Sequence, residues 1–176
     1  MRAKLRTPTT RRTSTRSKAS YYTQAMEHVL LAFMLFFSPA APPSELKPYA
    51  EYITAASQDP DVLAELFVHG RYEGRWGQAG VPMGVTAWRD NHHRRPDPHE
   101  AVCAALEAHN NATRDCGSGS TNRLRRVSYY ITGNCTVIPD AASRGRSIIA
   151  MRRVFNALLE GGALPPQEPL TCPAGE

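Results

Sequence analysis

Four cysteines, Cys103, Cys116, Cys135 and Cys172, all lie in the second half of the 176-residue chain. Their number is even, and the closest two are 13 positions apart. Structural zinc sites use close pairs such as C-x-x-C, so this spacing argues for two disulfides and against a metal. Disulfides need an oxidising compartment. Three pairings are open. Periodicity favours one of them. Cys103 falls on the buried side of an expected helix and Cys135 on the inward face of an expected strand. Their bond would staple helix to sheet and leave Cys116 for Cys172. Each bond would stabilise by about 2–4 kcal/mol through loop restriction, which matters for a small lobe with a marginal core.

The N-terminus suggests how the chain reaches such a compartment. Val29 to Phe37 is an unbroken run of nine apolar residues. A bilayer-spanning helix needs roughly 20, and a stable membrane span is therefore not expected. The run has the length of a signal-peptide core, and Ser38-Pro39-Ala40 supplies small residues where a signal peptidase cuts. Cleavage is expected near Ala40–Pro43. Met26 would make a compact start for such a signal. Two other readings stand beside it: an organellar transit peptide, and a disordered arm followed by a buried helix.

Charge placement agrees with a delivery role for this region. The formal net charge is +5, yet residues 1–25 hold seven basic residues and no acid. From Ser44 onward fourteen basic residues face fifteen acidic ones, a net of −1. A body without clustered Lys and Arg is a poor match for a phosphate backbone, so no nucleic-acid partner is expected.

The expected organisation is a basic disordered extension (1–25), a signal-like segment (26–43), a helical N-terminal lobe (44–95) and a cysteine-containing α+β domain (96–176). Pro48 opens a short helix, and Asp59-Pro60 caps a second with Val62, Leu63, Leu66 and Phe67 on its apolar stripe. Val85 to Trp88 suggests a strand before the polar boundary at residues 90–98. Asp97-Pro98-His99-Glu100 is a capping-box-like start for a third helix. Residues 127–138, VSYYITGNCTVI, alternate as a strand should. An amphipathic helix follows over 148–160, ended by Gly161-Gly162. The expected fold class is thus α+β, a small disulfide-stapled helix-on-sheet domain.

Asn111-Ala112-Thr113 and Asn134-Cys135-Thr136 are N-glycosylation sequons, in keeping with secretion. The pieces AVCAAL (101–106), TGNCTV (132–137) and TCPAG (171–175) give an order of helix with Cys, strand with Gly-x-Cys, helix and terminal Cys. In this the second half resembles the secreted cysteine-rich effectors of plant-associated fungi, the necrosis-inducing and killer-toxin-like proteins. The resemblance implies a compact α+β sandwich, secretion and interference with a host or competitor cell. It carries over no catalytic residue, and Thr136-Val137 stands where that family commonly has a small residue and an aromatic.

No G-x-S-x-G elbow or H-E-x-x-H pair occurs. Gly117-Ser118-Gly119-Ser120 lacks the strand, Lys and helix of a phosphate loop. His92, His93 and His99 cluster in and beside the polar boundary, where imidazoles could serve an acid–base or metal site. Arg94-Arg95, Arg125-Arg126 and Arg152-Arg153 are dibasic pairs, and an exposed one can be cut in a secreted chain; Pro96 should protect the first, the second sits just before the expected strand, and the third reads as the solvated edge of a helix. The expectation is a secreted effector or toxin-like protein that acts by binding a protein or cell-surface partner, without a cofactor. The alternatives are a secreted enzyme using the His92/His93/His99 loop and an organelle-imported protein.

Overall fold

The computed structural model describes residues 27–34, 43–74, 97–162 and 169–173. These form six α-helices: α1 (27–34), α2 (Pro43–Ala56), α3 (Pro60–Gly74), α4 (Pro98–Cys116), α5 (Arg123–Thr132) and α6 (Pro139–Glu160). One 3-10 turn, Ser120–Asn122, leads into α5. The α+β expectation is corrected to all-α, since no strand occurs among the described residues.

The segment 127–138 shows why. Its Tyr, Ile, Thr and Val residues favour strands, but α5 runs through Thr132 and buries Arg123, Arg126, Val127 and Tyr130. Those positions follow the helical i, i+3, i+4, i+7 spacing. Two of the four are arginines, so an apolar pattern misses the stripe. Gly133, at φ 76°, ends the helix in the left-handed conformation that glycine adopts without strain. The Ser128 hydroxyl donates to Leu124 O at 2.8 Å and accepts from Ile138 N at 3.1 Å, pinning the following turn back onto α5.

The caps at α3 and α4 form as the sequence requires. Asp59 Oδ1 accepts from Asp61 N at 2.8 Å, and Asp97 Oδ1 accepts from His99 N at 2.7 Å. Pro60 and Pro98 occupy the following positions, where a missing N–H does no harm. The helices run further than expected. α4 passes Asn110-Asn111 to Cys116, and α6 begins at Pro139 rather than at Ser147.

α3 is the central element. Every residue from Leu63 to Gly70 is buried, as befits a helix surrounded by neighbours. It packs on α2, α4 and α6. The Phe67 ring meets Phe33 of α1 and Phe155 of α6 edge-on, with centroids 6.2 and 6.4 Å apart. One core cluster therefore draws residues from Leu30 to Phe155. Residues 27–34 of the signal-like segment are a helix whose Leu30 and Met34 are buried in that core. The basic arm, the Val85–Trp88 segment, Arg94-Arg95, His92 and His93 lie outside the described residues.

Both disulfides form, and all four cysteines are used. The expected pairing is corrected. Cys103 bonds Cys172 and Cys116 bonds Cys135, with Cα separations of 5.5 and 5.4 Å. Cys135 lies in the turn after α5, next to the C-terminal end of α4, instead of on a strand across from Cys103. The tail returns along α2, where Leu170 N donates to Ala55 O at 3.0 Å. That path brings Cys172 to the first turns of α4.

Candidate functional site

Because residues 63–70 of α3 are buried all round, the polar side chains among them cannot reach water. Glu65 and His69, one turn apart, are both wholly buried. α4 delivers His109 to them and α5 delivers Arg126 and Tyr130. Glu65 Oε2 accepts from His109 Nδ1 at 2.9 Å. Arg126 reaches the same carboxylate through Nη2 at 2.5 Å to Oε1 and Nε at 3.2 Å. Its Nη1 donates to Gly117 O and Gly119 O at 3.0 and 2.9 Å. Arg126 thus ties α3 to the loop after α4. Lysine has no fork with which to do this.

Burial alone would raise the pKa of Glu65. Hydrogen bonds from His109 and Arg126 outweigh burial and hold it at about 2. The carboxylate is therefore ionised throughout the ordinary pH range. His69 presents the opposite case. Its ring stacks on Tyr130 with centroids 3.6 Å apart, and neither nitrogen has a hydrogen-bond partner. Burial drives its pKa down to about 3, against the pull of Glu65, so it is a neutral ring in the interior. Tyr130 donates its hydroxyl proton to Ala105 O.

The cluster opens on one side. His109 is nearly buried, and its Nε2 lies 3.4 Å from Thr113 Oγ1, one turn further along α4. Both line a cleft of about 130 Å³, with Asp59, Asp61, Ser118, Gly119 and Arg126 around it. Asp61 is held by Arg123 Nη2 at 2.8 Å and lies 3.0 Å from Arg152 Nε. Gly117 closes the helix at φ 93°, and a Cβ there would stand 2.6 Å from Asn122 Nδ2. A glycine is required for the loop to fold over the cleft mouth. The arrangement gives a hydroxyl, an imidazole and a buried carboxylate in hydrogen-bonding sequence beside a small cleft of mixed polar and apolar lining.

The residues expected from sequence lie elsewhere. His99 sits in the first turn of α4, where its Nε2 is 2.9 Å from Thr171 O and its ring meets Tyr52 edge-on at 5.1 Å. It packs against the tail beside the Cys103–Cys172 bond and does not enter the cleft. Asn134 is exposed in the turn after α5, its side-chain oxygen accepting from Thr136 N at 2.6 Å. Asn111 is half-buried on α4. Among the described residues no group of three or more His, Cys, Asp or Glu could hold a metal ion, and no helix is long and apolar enough to cross a membrane.

Glu65, His69, His109, Thr113 and Arg126 were not marked by motif. The available signal was subtler. A Glu and a His interrupt the apolar run LAELFVH at i, i+4 spacing, and buried charge is rare without a partner. No family model, curated protein or solved structure is similar to this chain.

Proposed function

We propose that this is a secreted, disulfide-bonded protein of the effector or toxin-like type, which acts by binding a component of a host or competitor cell. The pairing of all four cysteines in two disulfides carries the reading. Such bonds persist outside the cell and are rare within the cytosol. The signal-like segment and the exposed Asn134 sequon support it. Asn134 is the better glycan acceptor, because a helical, half-buried Asn111 offers less room. In the full chain α1 covers Phe67, and cleavage near Ala40–Pro43 would take Phe33 away from it. The mature protein would then present an apolar surface on α3 to a target. The His92/His93/His99 enzyme gains nothing from His99, which is engaged with the tail and Tyr52.

The test is expression through a eukaryotic secretory route with intact-mass analysis of the medium. Expected are an N-terminus near Pro43, no free thiol and a mass shift on deglycosylation that is lost in Asn134→Gln. Free thiols in the exported protein, or retention of an uncleaved chain in the cell, would dismiss the proposal.

A further inference from the structure

The geometry points to a second activity: the cleft beside α4 hydrolyses short-chain esters, with Thr113 as nucleophile, His109 as its base and Glu65 as the residue that positions the imidazole. This is independent of where the protein is exported and of what it binds.

Three observations carry it. Glu65 Oε2 lies 2.9 Å from His109 Nδ1, which fixes the proton on that nitrogen and leaves the Nε2 lone pair facing Thr113 Oγ1 at 3.4 Å. That order of hydroxyl, imidazole and carboxylate is the one nucleophilic catalysis needs, and such contacts are often long without substrate. Next, helical hydroxyls in this protein normally bond a carbonyl one turn back. Thr54 Oγ1 does so to Ala50 O at 2.9 Å, Ser128 Oγ to Leu124 O at 2.8 Å and Thr132 Oγ1 to Ser128 O at 2.9 Å. Thr113 instead turns its hydroxyl to the imidazole. Finally, Ser118 and Gly119 line the same cleft, and their N–H groups take no part in the backbone hydrogen bonds of the loop. Free amide donors beside a nucleophile are what a developing oxyanion requires.

The cleft is small, about 130 Å³, and open to solvent. It has room for an acetyl or propionyl group.

The steps balance. Thr113 Oγ1 attacks the ester carbonyl carbon as its proton passes to His109 Nε2, and Ser118 and Gly119 N–H groups receive the oxyanion. Collapse breaks the carbon–alkoxy bond, and the alcohol leaves with the proton from His109. Water then attacks the acyl-Thr113 ester, giving its proton to His109. Thr113 Oγ1 departs and recovers that proton. The net reaction converts ester and water to acid and alcohol.

The experiment uses the oxidised full chain with p-nitrophenyl acetate and, separately, a fluorophosphonate probe with peptide mapping. Expected are turnover that falls about 100-fold or more in Thr113→Val, retention in Thr113→Ser, and a phosphonyl adduct on Thr113. Glu65→Gln should lower kcat, normalised to the fraction folded by near-UV circular dichroism, while leaving KM unchanged; loss of folded chain alone would leave the normalised kcat intact. Thr113 is half-exposed, so T113V should fold, with near-UV circular dichroism as the check. If it does not, the adduct site and T113S decide. Equal turnover in wild type and T113V, an adduct on another residue, or no adduct at all overturns the proposal.

Discussion

Glu65 on α3 and Arg126 on α5 stand 61 positions apart in sequence and form an ion pair with side-chain exposures of 0% and 3%. Neither charge can be left alone in that interior. Removing one partner of such a pair costs about 3–5 kcal/mol, whereas replacing both with apolar residues costs far less. Arg126→Leu and Glu65→Leu should each destabilise by about that amount, and the double variant by much less than their sum. Urea denaturation of the four chains measures the coupling. Strict additivity would show that the two residues act separately.

His69 makes stability depend on acid. Its folded pKa of about 3 lies below the ordinary 6.5, so the unfolded chain takes up a proton that the folded one refuses. Its contribution is intact above pH 6.5. It declines as pH falls toward 3, by up to about 1.4 kcal/mol per unit. Glu65 adds in the same direction between its ordinary 4.5 and about 2. The charges near His69 are Glu65, Arg144, His109 and Arg126. His69→Phe keeps a ring against Tyr130 and removes the titration. It should raise Tm at pH 5 and flatten the stability profile from pH 6 to 4. An unchanged slope in thermal scans would remove His69 from the explanation.

The two disulfides should differ in a way that loop length does not predict. Their sequence separations are 69 for Cys103–Cys172 and 19 for Cys116–Cys135. Loop closure alone would give about 4 and about 3 kcal/mol. The shorter one, however, abuts Gly117, whose carbonyl holds Arg126. Losing it should loosen the clamp on the buried pair. We expect Cys116→Ala/Cys135→Ala to cost at least as much as Cys103→Ala/Cys172→Ala in non-reducing denaturation. A ranking by loop length would disconnect that bond from Arg126.

Leu30 and Met34 report on processing. In the full chain both are buried, and truncation of such a side chain to alanine costs about 2–5 kcal/mol. In exported protein cleaved near Ala40–Pro43 those positions are gone. Leu30→Ala and Met34→Ala should therefore weaken the uncleaved chain and leave the stability of the exported form unchanged. Equal Tm loss in exported material would show that α1 stays attached.

What the sequence disclosed was its apolar and turn chemistry. Asp97-Pro98 marked the start of α4, Asp59-Pro60 that of α3, and the even cysteine count the two bonds. The face of α5 stayed hidden because Arg123 and Arg126 stand where an apolar pattern expects Leu or Ile. Arg126 is inside only because Glu65, far away in sequence, neutralises it. The misread strand then misplaced Cys135 and with it the pairing. The cleft was hidden for a related reason. His109 and Thr113 are ordinary helix residues until Glu65 is brought beside them.

The disulfides also fix how the molecule can be broken. Cys116–Cys135 is nested within the span closed by Cys103–Cys172. Chain from 103 to 172 is thus a covalent ring with a second ring inside it. A single cut anywhere within it, including at Arg125-Arg126 or Arg152-Arg153, opens the ring and sheds nothing. A single cut releases a piece of the chain only where it falls before Cys103 or after Cys172. In a protease-rich medium, α4, α5 and α6 travel as one molecule after a single nick, whereas α1, α2 and α3 are held to them by packing and ion pairs alone.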